Sequence, residues 1–459
     1  MIHKYKLGGL NIVLDVNSGG VHVVDDITFD LLDNIDPPLS EECPPKAVEK
    51  LMRFYSKDDI LSCYEEVKEL WRQKTLFSED DYETFTEKQS AAPIKSMCLL
   101  AAMDCNMHCD YCFAGDGEYS IGKKLMSAEV GKAALDYLLE HSGNRRFLEV
   151  DFFGGEPLMN WKALKEIIAY GREREKEYKK TFRFTVTTNG TLLDDEKIDF
   201  INREMSNVVL SIDGRRIVND RMRHRHDGKS VYDTIVPKYK ELVEKRNYQN
   251  YYVRGTFTKY NLDFSEDVFH LNELGFDQIS VEPVVSSPKD PYALTEKELP
   301  AVFKEYEKLA ERLLENDKKG SHFNFFHFML ELDQGPCAIK RLRGCGCGNE
   351  YVAVTPDGDI YPCHQFVGKE GYKMGNILTG ELDTSMKEKF ASAHIYSKED
   401  CKRCWARFYC SGGCDANNYE YMGDILKAFK LSCEMEKKRV ECAVYIQAVK
   451  AMEAAENEL

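Results

Sequence analysis

Apolar and polar positions change rhythm three times along the chain. Over residues 1 to about 90 the runs are short. Lys4 to Lys6, Leu10 to Val16 and Val21 to Val24 read as strands, and Asn17-Ser18-Gly19-Gly20 between the last two is a hairpin turn. A short helix is predicted over Ile27 to Ile35, followed by a loop over Asp36 to Pro45 with four prolines. Ser56 then caps a helix carrying Ile60, Leu61, Val67, Leu70 and Trp71. A small sheet with three helices has the shape of a winged-helix module.

From residue 96 to about 285 strand and helix patterns alternate. Candidate strands are Met97–Met103, Phe147–Phe153, Phe182–Thr187, Val208–Ile212, Tyr252–Phe257 and Gln278–Glu282. Amphipathic stretches lie between them: Ala128–His141 after Ser127, Asp194–Arg203, and Ser265–Leu274, which Gly275 terminates. Six such units predict a parallel sheet curled into a partial (β/α) barrel. The charged run Arg172 to Lys180 reads as a solvated helix face. Residues 286 to 335 read as a charged helical bridge into a cysteine-rich region. There, Tyr351 to Tyr361 predicts a hairpin turning at Asp357-Gly358.

Polar clusters fall just after the predicted barrel strands. Cys105 to Cys112 follows the first, Gly154-Gly155-Glu156-Pro157 the second, Thr188-Asn189-Gly190 the third and Asp213-Gly214 the fourth. The C-terminal rim of parallel strands is where such folds do chemistry. One Gly-Gly turn is weak evidence; four polar clusters on one rim, the first bearing thiols, are much stronger.

Length and charge narrow the class. A chain of 459 residues implies two or three domains. Lys plus Arg total 62 against 78 Asp plus Glu, a formal net charge of −16, which disfavours nucleic acid and anionic membrane as partners. The winged-helix shape therefore points away from DNA and towards an extended peptide taken onto a sheet edge. The apolar runs are too short to span a bilayer, and no signal peptide is visible. A cytoplasmic location is expected.

Sixteen cysteines in that compartment imply metal more than disulfides. Three lie in Cys105-x3-Cys109-x2-Cys112, and ten lie between Cys337 and Cys442. Cys43, Cys63 and Cys98 are scattered and read as small buried hydrophobes. A three-thiolate loop holds three corners of an iron–sulfur cluster that normally takes four ligands. It either borrows a distant ligand or leaves one iron open to a small molecule. His108, inside the motif, is expected to point away. In the C-terminal region Cys401-x2-Cys404-x5-Cys410-x3-Cys414 begins with a general chelating bite. Zinc is the plainer reading of such a pair. It is weakened by a surplus of ligands and by the lack of a second C-x2-C pair.

Cys105-x3-Cys109-x2-Cys112, with Tyr111 before the last cysteine, resembles the signature of the radical S-adenosylmethionine (SAM) superfamily, and Gly154 to Pro157 resembles its GGEP motif. Cys345-x12-Gly358-x4-Cys363, then Cys401, Cys404, Cys410, Cys414 and Cys433, resembles the seven-cysteine SPASM pattern at every spacing. The resemblance covers roughly residues 96 to 435. The N-terminal unit resembles a PqqD-like peptide-recognition element, and the combination is similar to the SCIFF maturases, which build a thioether in a small cysteine-rich peptide.

The resemblance implies an α/β fold with residues 1–90 as leader-recognition element, 91–320 as partial (β/α)6 radical SAM barrel and 321–459 as SPASM domain. It implies three [4Fe–4S] clusters. Cys105, Cys109 and Cys112 would hold the catalytic one, whose open iron chelates SAM. Tyr111 would lie near the adenine. The Gly154-Gly155 backbone and Glu156 would meet the methionine ammonium. Asn189, Ser211 and Arg223 match SAM-contacting positions, Arg223 pairing with the carboxylate. Cys401, Cys404, Cys410 and Cys433 would ligate one auxiliary cluster, and Cys345, Cys363 and Cys414 the other. The fourth position of the latter falls to Cys337, to Cys347 or to a substrate thiol. Cys347 departs from the family pattern, in which a small residue follows Cys345-Gly346.

The activity so implied starts from a 5′-deoxyadenosyl radical that takes hydrogen from a peptide Cα. A cysteine sulfur then bonds to that carbon, and an auxiliary cluster accepts the second electron. The expected partners are a cysteine-rich precursor bound through its leader and an electron donor such as flavodoxin or ferredoxin. An anaerobic sulfatase-maturating enzyme, another radical SAM peptide modifier and a zinc-stabilised peptide-binding module are the alternatives.

Overall fold

The computed structural model describes residues 1–86, 92–330, 332 and 341–458. Cys337 and the expected boundary at residues 90 and 91 lie outside the described residues.

The N-terminal unit pairs β1 (Ile2–Leu7), β2 (Leu10–Asp15) and β3 (Val21–Val24) antiparallel in that order. Three helices cover it: α1 (Asp26–Leu31), α2 (Pro45–Leu51) and α3 (Lys57–Arg72). Ser56 caps α3 by accepting from the Asp59 N–H, as the sequence implies. Helix α1 stops at Leu31, short of the predicted Ile35. Val13, Leu31, Ile60, Cys63, Tyr64 and Val67 form this unit's own core.

The second sheet holds twelve strands among the described residues. Its centre is β4 (Ser96–Met103), β7 (Phe147–Gly154), β8 (Thr181–Thr188), β9 (Asn207–Ser211), β11 (Tyr251–Phe257) and β12 (Gln278–Pro283), all parallel neighbours. Two short pieces, β5 (Met107–Cys109) and β10 (Arg223–Arg225), pair with each other off the sheet, and β6 (Lys124–Leu125) pairs with β4. Strand β4 is buried along its whole length, as a central parallel strand must be. Helices α4 (Ala128–His141), α5 (Trp161–Tyr178), α6 (Asp195–Glu204), α7 (Arg216–Met222), α8 (Val231–Lys245) and α9 (Phe264–Glu273) return the chain between strands. Gly275 follows α9 at φ +100°, a conformation that glycine adopts without strain.

Both ends of this sheet depart from the expectation. The stretch read as a helical bridge contains α10 (Leu299–Lys318) and then a strand, β13 (Asn324–Phe325), which extends the sheet beyond β12. At the other edge β14 (Tyr351–Val354) pairs parallel with β4, and β15 (Asp359–Tyr361), β16 (Gly375–Asn376) and β17 (Glu381–Leu382) continue antiparallel. The cysteine-rich region is thus hydrogen-bonded to the strand that carries the first cysteine loop. The charged run on α5 is also not merely solvated. Arg172 donates to Phe182 O at 3.0 Å and Glu204 O at 2.8 Å, so it braces α5 against β8 and α6.

The N-terminal unit docks against the C-terminal region. His3 stacks on Trp405 with ring centroids 3.7 Å apart. Arg407 donates to Asn17 Oδ1 at 2.6 Å and to Asp80 Oδ2 at 2.9 Å. Among the described residues no helix is long and apolar enough to cross a membrane.

Candidate functional site

The first site forms where four strand ends meet. The chain leaves β4 at Asp104 and carries Cys105, Cys109 and Cys112 across the rim. Cys109 sits in β5, opposite Arg223 of β10, so strand pairing sets the guanidinium beside the second cysteine. A turn closes the loop, with the Cys112 N–H donating to Cys109 O at 3.0 Å. His108 turns outward to Asp116, 2.7 Å from its Nδ1.

The glycine pair is required by closeness. Gly154 has φ +132°, and a Cβ there would lie 2.1 Å from Ala102 O. A Cβ on Gly155 would lie 2.2 Å from Asp104 O and 3.0 Å from Cys105 Cβ. The second strand end therefore seats directly under the first cysteine. Gly155 N–H donates to Ala102 O at 2.8 Å and Glu156 N–H to Asp104 O at 2.9 Å, which locks that seat.

Glu156 is wholly buried and its carboxylate is used internally. It accepts from Leu158 N at 3.0 Å, Thr188 Oγ1 at 2.8 Å and Asn189 N at 2.7 Å. Burial raises its pKa to about 7, against the pull of these donors. Glu156 thus fixes the strand end that carries Asn189. The Asn189 amide donates to Asn106 Oδ1 at 3.0 Å and approaches Cys105 Sγ at 3.7 Å. Ser211 O accepts from the Tyr239 hydroxyl at 3.1 Å at the end of the next strand.

Tyr111, half-buried, forms a triad with the buried Arg223 and Asp213. Asp213 was visible in sequence only as one of the rim's polar residues; here it accepts from the Tyr111 hydroxyl. Burial raises the pKa of the Asp213 carboxyl, with Arg223 opposing. Arg223 Nε is buried without a hydrogen-bond partner among the described residues. A buried donor left over is what a ligand carboxylate would satisfy. Burial pushes the Cys105 thiol up to about 11 and the Cys109 thiol up to about 12, with Arg223 countering at Cys109. Thiols bind iron as thiolates, so this guanidinium favours the ligating form.

The C-terminal cysteines divide into two groups. Cys401, Cys404, Cys410 and Cys433 all line one cavity of ≈ 380 Å³, with Trp405, Ala428 and Lys437. Cys345 and Cys414 line another, of ≈ 1020 Å³, with Tyr409 and Phe328, and Cys410 borders both cavities. Ser411, Gly412 and Gly413 take φ of +61°, +84° and +74° in succession, which reverses the chain between Cys410 and Cys414. Cys410 thereby stands with the quartet at the wall between the two cavities, and Cys414 lines the second cavity only. Cys363 follows β15 and packs in one hydrophobic cluster with Cys112 and Cys347. A thiol–thiol hydrogen bond to Cys347 lowers the Cys363 pKa. The Gly348 N–H donates to Pro362 O at 3.0 Å and holds that contact. Of the two extra cysteines considered from sequence, Cys347 stands against this group, and Cys337 lies outside the described residues.

These sets fit iron–sulfur clusters. The quartet has four thiols around one cavity, and the rim loop has three thiols with an unpaired donor beside them. Among the described residues no group of three or more His, Cys, Asp or Glu is placed to hold a metal ion. The scattered Cys43, Cys63 and Cys98 are buried, as expected of small hydrophobes.

Two family matches agree with this division. A 4Fe-4S single cluster domain matches residues 96–235, and SPASM, an iron-sulfur cluster-binding domain, matches residues 345–405. The chain is 22% identical to the radical SAM cyclopropyl synthase TigE of Paramaledivibacter caminithermalis over 76% of this chain and 74% of that protein. It is 25% identical to a cysteine-type anaerobic sulfatase-maturating enzyme of Clostridium novyi, over 71% and 89%. Among solved structures, native anSMEcpe with bound AdoMet superposes with TM-score 0.65 at 21% identity, covering 80% of this chain and 100% of that one. SuiB of Streptococcus suis bound to precursor peptide SuiA superposes with TM-score 0.52 at 16% identity, covering 91% and 95%.

The chain thus carries matches to two iron–sulfur cluster domains and is similar in sequence to a radical SAM enzyme. Its cofactors are [4Fe–4S] clusters and SAM.

Proposed function

We propose that the protein oxidises a ribosomally made, cysteine-rich peptide, joining a cysteine sulfur to the Cα of another residue. In this reading residues 1–90 hold the peptide leader, residues 91–320 generate the radical and residues 321–459 carry two auxiliary clusters. The relatives named for sulfatase maturation and the neighbour bound to its precursor peptide support a peptide substrate.

One observation carries the reading. A cavity of ≈ 360 Å³ is bounded by Tyr111 and Cys112 on the barrel side and by Gln365 and Asn417 on the other. Gln365 lies two residues past Cys363 and Asn417 three past Cys414. A peptide residue in this cavity would be within reach of both thiol groups. The cavity offers Ser286, whose hydroxyl is buried without a partner among the described residues, to a peptide amide or carbonyl.

When bound, the cluster and SAM supply a carbon-centred radical able to take hydrogen from a C–H bond. The protein's own part is placement. Cys105, Cys109 and Cys112 would hold the cluster, and Arg223 Nε would pair with the SAM carboxylate. The Gly154-Gly155 backbone would form the floor, Glu156 orders Asn189 behind Cys105, and Tyr111 and Ser211 would border the nucleoside. Tyr119, Phe113 and Tyr292 line the cavity with aromatic surface. The three-stranded sheet leaves β1 and β3 as its edges, where an extended leader can add a strand. A flavodoxin- or ferredoxin-type donor completes the system.

The test is anaerobic incubation with SAM, a reductant and a short cysteine-rich precursor, followed by mass spectrometry and thiol counting. A peptide lighter by two hydrogens with one thiol fewer supports the reading. Loss of sulfur with formation of an aldehyde would instead assign sulfatase-type maturation.

A further inference from the structure

We propose that a buried ion pair, Lys398–Asp415, sets the relative potentials of the two auxiliary cluster sites. It raises the potential on the Cys401/Cys404/Cys410/Cys433 side and lowers it on the Cys345/Cys363/Cys414 side. The inference rests on the assignment of those cysteines to two clusters.

The pair lies in the partition between the two groups. Its side chains are 2% and 9% exposed. Lys398 Nζ donates to Asp415 Oδ1 at 2.7 Å and to Gly412 O at 2.9 Å. Gly412 belongs to the reversal that sends Cys410 one way and Cys414 the other. A Cβ there would lie 3.2 Å from Lys398 Nζ, so the glycine leaves room for the ammonium. On one side the Lys398 carbonyl accepts from the Cys401 N–H at 2.9 Å, which ties the lysine to the quartet. On the other, Asp415 follows Cys414 in sequence.

The ammonium end of the pair sits against Gly412, which lines the quartet's cavity, and the carboxylate end belongs to the residue after Cys414, which lines the other.

A stabilising role alone explains such a pair poorly, since well-packed apolar side chains usually serve a buried site as well or better. Charges in a low-dielectric interior act over longer distances than in water. Cluster potentials respond to local charge, hydrogen bonds and burial. An electron added to a cluster is negative charge, so the ammonium side holds it more readily. In a one-electron exchange between the sites, one is oxidised as the other is reduced, and no further reactant is needed. The bias draws the electron away from Cys363, which packs with Cys112, and towards the quartet, whose Trp405 touches the N-terminal unit.

The experiment is an EPR-monitored redox titration of anaerobically reconstituted holoenzyme, with Cys363→Ala and Cys401→Ala variants identifying each signal. Lys398→Met/Asp415→Asn, which leaves neither charge unpaired, narrows the gap between the two potentials, and Lys398→Arg keeps it. Should the double variant lose a cluster, Asp415→Asn alone raises the Cys345-side potential by more than the quartet's. Both clusters assembled with an unmoved or widened gap would overturn the inference, as would equal shifts in Asp415→Asn. Wild-type protein without two auxiliary signals would instead remove the cluster assignment beneath it.

Discussion

The Tyr111 hydroxyl donates into the Asp213 carboxylate, 2.8 and 2.7 Å from its two oxygens. Arg223 Nη1 donates to the same hydroxyl at 3.2 Å and lies 3.8 Å from Asp213 Oδ1. Removing Asp213 leaves Arg223 buried without its counter-charge, whereas removing the hydroxyl leaves the ion pair intact. Asp213→Ala should cost about 3–5 kcal/mol and Tyr111→Phe about 1–2 kcal/mol. Urea unfolding under anaerobic conditions measures both. A larger cost for Tyr111→Phe would show that the ion pair does not organise this corner.

Gly155 sets how closely the second strand end approaches the first cysteine loop. The atoms that a Cβ would meet are Asp104 O, Asp104 C and Cys105 Cβ, so backbone has to move. Gly155→Ala should lose one [4Fe–4S] equivalent of iron and sulfide while keeping the C-terminal clusters. Full iron content with normal SAM cleavage would contradict the seat described for Cys105.

Arg407 ties the cluster loop between Cys404 and Cys410 to the N-terminal unit. Its partner Asp80 is partly exposed and can rehydrate when the arginine is lost. Arg407→Ala should therefore cost about 2–3 kcal/mol, less than breaking a fully buried pair. The loss should appear as faster amide exchange in residues 2–24 while exchange in the barrel strands stays unchanged. Uniform acceleration across the chain would mean that Arg407 supports the whole fold and not the docking.

His327 predicts an acid limb of stability. Arg439 donates to its Nδ1 at 2.9 Å, so Nε2 carries the proton and donates to Ser280 Oγ at 3.1 Å. Burial, then Arg439, depresses its pKa from 6.5 to about 3. The neutral form is the folded one, so this contribution is complete above the unfolded pKa and is lost as pH falls below it. The loss should be about 2 kcal/mol at pH 5. His327→Gln should flatten that part of the stability curve. The same slope in the variant would assign the acid limb to other groups.

Much of the barrel was legible because strand and helix patterns are local. Ser127 marked the start of α4, and its hydroxyl does accept from the Val130 N–H. Rim residues could be named because each follows its own strand. What stayed hidden depends on partners far away in sequence. Strand β14 joins β4 across some 250 residues, with Tyr351 opposite Ser96, and nothing near either residue encodes that register. Cys109 meets Arg223 only because β5 pairs with β10. Glu156 looks in sequence like a ligand-facing carboxylate, yet three internal donors occupy it. Nothing in the sequence singles out Lys398 or Arg407, and only the fold buries them.

The central claim is that a radical formed at the Cys105/Cys109/Cys112 rim acts on a peptide held in the cavity shared with the C-terminal clusters. A precursor deuterated at Cα of the acceptor residue tests it directly in anaerobic turnover with SAM and reductant. The account predicts deuterium in the 5′-deoxyadenosine released, together with loss of one peptide thiol. Unlabelled 5′-deoxyadenosine with an unchanged thiol count would contradict it.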